Sequence, residues 1–331
     1  MKVLVVGGAG YVGAHACLAL AEAGHDVTVF DDLSTGRLSA VQWGELIRGS
    51  LADEPALDAA FTRVRPDAVM HFAARSLVAE SMADPYLYYQ ANVGGTLSLL
   101  AAMRRHGVTR LVFSSTAAIF GEPRSLPMAE DHACNPVNPY GRSKLMIEWM
   151  LEDAARSYRL DAVALRYFNA AGADPKARIG EMHQPETHLI PRLLRRAAGE
   201  SLDVAIFGDR HATRDGTCER DYVHVMDLAS AHLLALDYAT RTPGFHAFNL
   251  GAGSGHTVRE VIAAVEKTIG GPLEVPVHAA RDGDPASLVA SNERAREALG
   301  WRPGASDLQC ILADAWNWHR SPAGRTWSLN P

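Results

Sequence analysis

A glycine-rich turn near the start of the chain constrains its fold more than any other feature. Gly7, Gly10 and Gly13 directly follow the apolar run Val3–Val6, and the next run, Ala14–Ala23, consists of good helix formers. A strand, a glycine turn and a helix in this order let the backbone approach a diphosphate, because free N–H groups and the positive helix end stabilise its charge. The sequence therefore predicts a dinucleotide site at this turn.

The choice of dinucleotide depends on Asp31, at the end of the second predicted strand, Val27–Phe30. A carboxylate at this place can accept hydrogen bonds from both hydroxyls of an adenosine ribose, and its charge would oppose a 2′-phosphate. NAD is therefore expected rather than NADP, although Arg37, a few residues further on, leaves NADP open.

Apolar runs typical of strands alternate with amphipathic stretches through the first half of the chain. The runs are Val3–Val6, Val27–Phe30, Ala68–Phe72, Leu111–Ser114 and Ala162–Arg166. This alternation predicts an α/β fold: a Rossmann-like, doubly wound parallel sheet covered by helices.

The pattern loosens after Asn169 into stretches rich in Pro, Gly and charge, which predicts a smaller, loop-rich C-terminal substrate domain. We expect an NAD-binding domain at residues 1–168, to which residues 223–250 return, and a substrate domain at residues 169–222 and 251–331. Trp301, Trp316 and Trp318 are expected to pack within the second domain or at an interface.

Composition limits the partners and the compartment. The 331 residues carry a formal net charge of −6, which argues against binding to nucleic acid, and the four cysteines form no Cys-x-x-Cys pair. No signal-peptide pattern follows Met1, and no apolar run reaches the ~18 residues that a membrane span needs. A soluble, cytoplasmic protein without nucleic-acid or membrane partners is therefore expected.

No metal is expected. His183, Glu186 and His188 resemble metal ligands, but they lie in a Pro-containing segment without two histidines four residues apart.

A tyrosine and a lysine indicate the chemistry. Tyr140 and Lys144 are four residues apart at the start of a predicted helix, so both side chains lie on one face, and Thr116 closes a strand at its carboxyl end. A free tyrosine has a pKa of ~10, and an effective base at pH 7 needs a fall of ~3 units, or ~4 kcal/mol. One cation ~5 Å away at an effective dielectric of ~20 supplies ~3 kcal/mol. Lys144 therefore supports Tyr140 as acid/base, with Thr116 bonding the substrate oxygen.

With these residues, the chain resembles the extended short-chain dehydrogenase/reductase superfamily and, within it, the UDP-glucose 4-epimerases. The similar blocks are Gly7–Gly13, Asp31–Gly36, His71–Ala74, Asn92–Thr96, Tyr140–Lys144, Arg166–Asn169, Arg220–Val225 and Asn249–Gly253. The resemblance implies an NAD-dependent isomerase of carbohydrate metabolism that epimerises UDP-glucose and UDP-galactose through a transient 4-keto sugar. It also implies a homodimer, with a second domain that binds the UDP-sugar.

The resemblance assigns site residues by position. Those implied to bind NAD are Gly7, Gly10, Tyr11, Val12, Gly13, Asp31, Asp32, Ser34, Thr35, Gly36, Ser50, Leu51, Phe72, Ala73, Ala74, Ser76, Asn92, Tyr140, Lys144 and Phe168. Those implied to bind the UDP-sugar are Thr116, Tyr140, Asn169, His188, Leu189, Ala205, Ile206, Phe207, Arg220, Tyr222, Arg281, Asp284 and Leu288. The chain departs from the family at Val6, often Thr, at Ser50, often an acid, and at His188, often Asn.

Several alternatives stay open. A 4,6-dehydratase of this superfamily carries Asp-Glu after the catalytic Thr, whereas Thr116 is followed by Ala117 and Ala118, which argues against elimination. Leu288 aligns with the position that limits the substituent on the sugar's C2, so UDP-N-acetylhexosamines remain open, as do UDP-xylose and UDP-arabinose. An NAD-sensing binding module is the non-enzyme alternative, but sensing needs none of Thr116, Tyr140 and Lys144.

Overall fold

Seven parallel strands form the central sheet of the protein, whose computed structural model describes residues 1–281 and 283–329. In chain order the seven are β1 (Lys2–Val6), β2 (Asp26–Asp31), β3 (Glu45–Arg48), β4 (Ala68–His71), β5 (Arg110–Thr116), β6 (Asp161–Tyr167) and β10 (Phe245–Leu250). Across the sheet their order is β10, β6, β5, β4, β1, β2, β3. The predicted Rossmann-like parallel sheet is thereby confirmed.

Helices cover both faces of this sheet. The helices of the chain are α1 (Tyr11–Glu22), α2 (Glu54–Val64), α3 (Val78–Ala83), α4 (Pro85–Tyr88), α5 (Gly95–Arg105), α6 (Pro139–Tyr158), α7 (Leu189–Ala197), α8 (Val225–Arg241), α9 (Val258–Ile269), α10 (Glu293–Ala298), α11 (Leu308–Arg320) and α12 (Pro322–Leu329). Because side chains alternate along a strand, Val3 and Val5 of β1 pack on the side of α1 and α8, and Leu4 and Val6 on the side of α2, α5 and α6. Strands buried on both faces explain the nearly continuous apolar runs.

The remaining strands form two smaller sheets. They are β7 (Asn169–Ala171), β8 (Ile206–Phe207), β9 (Glu219–His224), β11 (Gly255–Thr257), β12 (Val277–His278) and β13 (Ser287–Leu288). Strand β9 pairs with β11, β13 and β7, and β12 pairs with β8. Helices α7, α9 and α11 pack together through Leu193, Val261 and Ile311. The predicted limits of the two domains stay a prediction. The last two residues of the second domain, Asn330 and Pro331, lie outside the described residues.

Trp301, Trp316 and Trp318 pack in different places, and Trp316 packs against the core of α7, α9 and α11 in the C-terminal region, as expected. Trp301 is fully buried with the side chains of β1, α1 and α8, and its indole N–H donates to the carbonyl oxygen of Asp227 at 2.8 Å. Trp318 packs against Ala14 and Leu18 of α1. Trp301 therefore departs from the expectation of packing in the second domain or at an interface, because it lies in the core beside the central sheet. The last third of the chain contributes apolar side chains to the layer that covers the first sheet.

Within residues 1–281 and 283–329, no helix is both long and apolar enough to cross a bilayer.

Candidate active site

A cavity of about 1000 Å³ follows the carboxyl ends of the central strands. Its wall begins at the turn after β1, passes the ends of β2, β4, β5 and β6, and continues to Arg220 and Arg281 of the C-terminal region. This edge of an open parallel sheet is where such folds bind ligands.

The glycine turn at one end of the cavity is as tight as its sequence predicts. Gly7 has φ of +83°, and a Cβ there would lie 2.3 Å from the backbone nitrogen of Ala73. A Cβ on Gly13 would lie 2.2 Å from the carbonyl oxygen of Gly7, so only glycine lets α1 start this close to β1. The first turn of α1 therefore presents free backbone N–H groups to the cavity.

Asp31 ends β2 beside this turn, with its side chain fixed by the backbone. Its carboxylate accepts hydrogen bonds from the N–H of Ala9 at 3.0 Å and of Leu33 at 2.8 Å. Burial raises the pKa of Asp31, and these two hydrogen bonds act against that rise. A carboxylate held here suits the two hydroxyls of a ribose, so the chain has the donors and the acceptor that an adenine dinucleotide requires.

Tyr140 and Lys144 begin α6, as predicted. Asn138 caps this helix by accepting a hydrogen bond from the N–H of Gly141 at 2.8 Å, and Pro139 occupies the first helical position. The ammonium group of Lys144 donates to the carbonyl oxygen of Ser114 at 2.8 Å. These contacts hold α6 against the end of β5, where Thr116 lies.

The electrostatics of the two side chains follow from burial. Burial raises the pKa of Tyr140, and a hydrogen bond with Thr116 acts in the opposite direction. Burial lowers the pKa of Lys144 to about 7, although the negative charge of Glu148 acts to raise it. Without a further positive charge in the cavity, Tyr140 is therefore a protonated phenol at neutral pH.

Glu148, one turn beyond Lys144, is itself held in place. Its carboxylate is nearly fully buried and pairs with the guanidinium of Arg166 at 2.7 Å. It also accepts a hydrogen bond from the hydroxyl of Ser115 at 2.5 Å. These contacts tie α6 to β5 and β6 next to Tyr140 and Lys144.

The far end of the cavity carries an aromatic ring and two guanidinium groups. Arg281 lies over the ring of Phe207, with 3.7 Å from Cζ to the ring centre. Arg220 forms an ion pair with Asp284 and donates to the carbonyl oxygen of Pro285 at 2.8 Å. Guanidinium groups suit bidentate binding of phosphate, and a flat ring suits a pyrimidine.

Most of the predicted site residues share this one cavity. They are Gly7, Gly10, Tyr11, Val12, Gly13, Asp31, Asp32, Ser34, Thr35, Gly36, Ser50, Leu51, Phe72, Ala73, Ala74, Ser76, Thr116, Tyr140, Lys144, Phe168, Asn169, His188, Leu189, Ala205, Phe207, Arg220, Tyr222, Arg281 and Asp284.

Asn92, Ile206 and Leu288 are not part of the cavity wall. The side chain of Asn92 is buried and bonds both backbone groups of Arg75 and the hydroxyl of Ser143, so it fixes the loop after β4. Ile206 belongs to the core of the C-terminal region, and Leu288 packs with Phe168 beside the residues that follow Thr116.

Sequence reasoning missed part of the wall. Arg75, Gln90 and Glu181 line the cavity, although no motif marks them, and so does His183, which the sequence suggested only as a residue resembling a metal ligand. Glu181 and His183 come from the loop between β7 and α7, whose path depends on contacts with α1 and α11. The one feature of the sequence that could have marked these residues is the high number of His and Glu residues in this loop.

Comparisons with known proteins match this geometry. Residues 3–251 match the model of the NAD dependent epimerase/dehydratase family. The chain is 48% identical over 320 residues to the UDP-glucose 4-epimerase of Halalkalibacterium halodurans, covering 97% of this chain and 96% of that protein.

Solved structures agree. The UDP-glucose 4-epimerase of Brucella ovis in complex with NAD superposes with a TM-score of 0.92 at 48% identity, covering 95% of this chain and 97% of the other. The UDP-glucose 4-epimerase of Stenotrophomonas maltophila, solved with NAD and formylated UDP-arabinopyranose, superposes with a TM-score of 0.94 at 39% identity over the full length of both chains.

Proposed function

Because the chain belongs to the NAD dependent epimerase/dehydratase family, we propose that it interconverts UDP-glucose and UDP-galactose by inverting C4 of the sugar. The resemblance found in the sequence is confirmed, and with it the NAD-dependent enzyme class. The observation that carries the proposal is the single cavity that joins the glycine turn, the pair Tyr140 and Lys144, and the guanidinium groups of Arg220 and Arg281.

The residues present fit NAD. The N–H groups at the glycine turn would hold its diphosphate, and the carboxylate of Asp31, oriented by the N–H groups of Ala9 and Leu33, would accept hydrogen bonds from its adenosine ribose. Bound NAD supplies the reversible oxidation at C4.

Tyr140 carries the proton in this mechanism. As a phenolate, Tyr140 removes the proton of the sugar's 4-OH. As a phenol, it returns a proton after the sugar has rotated to present its opposite face. Thr116 forms a hydrogen bond with Tyr140 and, in this mechanism, a second one with the same 4-oxygen of the sugar. The two bonds align the path of the proton between the sugar and Tyr140. Lys144 and the positive charge of the oxidised cofactor favour the phenolate.

The nucleotide must stay bound while the sugar turns. Arg220 and Arg281 hold the diphosphate, and the ring of Phe207 lies beside the uracil. The 4-keto sugar therefore rotates without leaving the cavity, and no second substrate is required.

A UDP-pentose or a UDP-N-acetylhexosamine is the second candidate substrate. The S. maltophila relative was solved with a UDP-arabinopyranose derivative, which favours the pentose. Leu288 lies outside the cavity wall and packs, like Phe168, against the apolar residues that follow Thr116, so any effect of its size on the C2 substituent would act through these neighbours.

We further propose that the protein is cytoplasmic, and that residues 1–168 and 223–250 form its NAD domain and the remainder its UDP-sugar domain. We also propose a homodimer whose two copies contact each other through α5 and α6. Leu97 of α5 and Trp149 of α6 are apolar side chains with 61% and 56% exposure, which supports a contact between these helices and those of a second copy.

The proposal is tested by incubating the enzyme with UDP-glucose, UDP-galactose, their N-acetyl forms and the UDP-pentoses, and separating the products by chromatography. Interconversion of the first pair is expected to be the fastest.

Tyr140→Phe is expected to lose roughly 10²–10⁴-fold in kcat for every active sugar, because general acid–base catalysis contributes this much. Near wild-type turnover by this variant would contradict the role of Tyr140.

A further inference from the structure

Four side chains from the loop between β7 and α7 lie close together: Glu181, His183, Glu186 and His188. All but Glu186 line the cavity. One nitrogen or oxygen from each lies within 4.8 Å of those of the other three. Their spacing in the sequence does not predict a metal site, but the folded loop brings them together. We propose that these four side chains bind a divalent transition-metal ion of the Zn²⁺ class.

The distances show convergence on one point. The Nδ1 atoms of His183 and His188 lie 2.9 and 2.8 Å from the same oxygen of Glu181. Nδ1 of His188 also lies 2.9 Å from an oxygen of Glu186. A neutral imidazole has at most one hydrogen on Nδ1, so His188 cannot donate fully to both carboxylates. Bonds of ~2.0–2.2 Å to a central ion place tetrahedral ligand atoms ~3.4 Å apart, within the range of separations seen here.

Charge supplies a second reason. The carboxylates of Glu181 and Glu186 are only 5% and 2% exposed, so two negative charges lie side by side away from solvent. Such charges require partners. The protein supplies the two imidazoles and the backbone N–H of His188, which donates to Glu186 at 2.9 Å, but none of the four residues carries a fixed positive charge. A divalent cation with two neutral imidazoles brings the charge of the cluster to zero.

The ligand types select the class of metal. Imidazole nitrogen with carboxylate oxygen in a four-ligand set is typical of Zn²⁺ and its neighbours among the transition metals. Mg²⁺ and Ca²⁺ prefer sets made entirely of oxygen. The proposal therefore excludes these two ions as the resident metal.

The location of the cluster gives it a consequence for binding. His183 packs edge-on against Tyr11 in the first turn of α1, with 6.0 Å between ring centres, and His188 is the residue before α7. The metal would therefore connect the cofactor end of the cavity to the start of α7. It would also neutralise Glu181 on the cavity wall and Glu186 behind that wall. This consequence rests on the proposed function, whereas metal binding itself does not.

Metal binding is tested on tag-free holoenzyme, stripped with a chelator and then titrated with Zn²⁺ or Co²⁺. Mass spectrometry of the metal content is expected to find one ion per chain after gel filtration. Co²⁺ is expected to give the visible absorption bands of a four-coordinate site. Glu181→Gln and His183→Ala are each expected to lower the affinity by about 100-fold or more, because even neighbours of metal ligands cost 10–100-fold.

His246→Ala, which removes a histidine of β10 far along the chain from the cluster, is the matched control and should bind metal as the wild type does. Circular dichroism and bound NAD report whether each variant folds, and the partly exposed His183 keeps the comparison usable if Glu181→Gln does not fold. Wild-type protein that retains no Zn²⁺, or a folded His183→Ala that binds it equally well, would overturn the proposal. If metal binds but stripping leaves KM for the UDP-sugar unchanged, only the consequence for the proposed function fails.

Discussion

At the scale of single residues, the positive charge of Lys144 is the proposed support for a phenolate at Tyr140. Lys144 follows Tyr140 by one turn of α6, and its ammonium group contacts the carbonyl oxygen of Ser114 at 2.8 Å. Burial lowers its pKa to about 7. Its positive charge therefore weakens as the pH rises through neutrality, and with it the support for a phenolate at Tyr140.

Lys144→Met is expected to move the acidic limb of the pH profile of kcat/KM to higher pH. A positive charge favours the phenolate and lowers the pKa of Tyr140, so its removal raises that pKa. The shift should reach ~2 pH units, since a charge ~5 Å away at an effective dielectric of ~20 contributes ~3 kcal/mol. The measurement is a pH series of initial rates at saturating NAD.

Arg142→Met is the control, because it removes the same charge from an exposed position on the same helix. Its profile should superpose on that of the wild type. A Lys144→Met profile that also superposes would show that Lys144 does not act through the Tyr140 proton.

The sequence predicted that Tyr140, Lys144 and Thr116 lie together because their geometry is local: a four-residue spacing in a helix and the end of a strand. It did not predict that Asn92 is buried outside the cavity wall. That side chain bonds the backbone of Arg75 and the hydroxyl of Ser143, and these contacts exist only after α6 has packed beside the loop that follows β4.

At the scale of elements, the junction of β1 and α1 depends on the absence of a side chain at Gly13. Gly13→Ala is expected to destabilise the protein by roughly 1–3 kcal/mol, the usual cost of overpacking, and to weaken NAD binding at least tenfold. The reason is that the added methyl would lie 2.2 Å from the carbonyl oxygen of Gly7, so α1 must move away from the turn. Denaturant unfolding and titration with NAD measure the two effects.

Gly304→Ala is the matched control, since a Cβ there has no atom within 4 Å. It should leave both quantities near the wild-type values. NAD affinity retained by a Gly13→Ala protein would mean that the turn tolerates a wider approach of α1 than the structure indicates.

Strand β3 illustrates which elements a sequence pattern does not predict. It is a four-residue edge strand, Glu45–Arg48, with exposed charged residues at both ends. The strand pairs with β2 on one side and, among the described residues, has no partner strand on the other, so it does not need a continuous run of apolar residues. Without such a run, its four residues do not show the pattern by which a strand is recognised in a sequence. The loop with Glu181 and His183 escapes prediction for a related reason, because tertiary contacts fix its path.

At the scale of the whole molecule, α5 and α6 present an apolar surface that a monomer would leave in water. Trp149→Glu is expected to convert the proposed dimer to a monomer, because it places a charge where an apolar ring would be buried in the partner. Sedimentation velocity of the holoenzyme measures the change.

Leu38→Glu makes the same type of change at a side chain that is 64% exposed and lies outside α5 and α6. This control should sediment as the wild type does. Equal sedimentation of Trp149→Glu and the wild type would place the contact between subunits elsewhere, or exclude it.

The position of β10 has a consequence for how the chain is made. Phe245–Leu250 pairs with β6, so on the ribosome the other six strands emerge well before the sheet receives its last member. Until then the N–H and C=O groups along one side of β6 remain unpaired and can template pairing with another nascent chain. A product truncated before residue 245 should therefore aggregate through this edge and depend on chaperones, even though its glycine turn is complete.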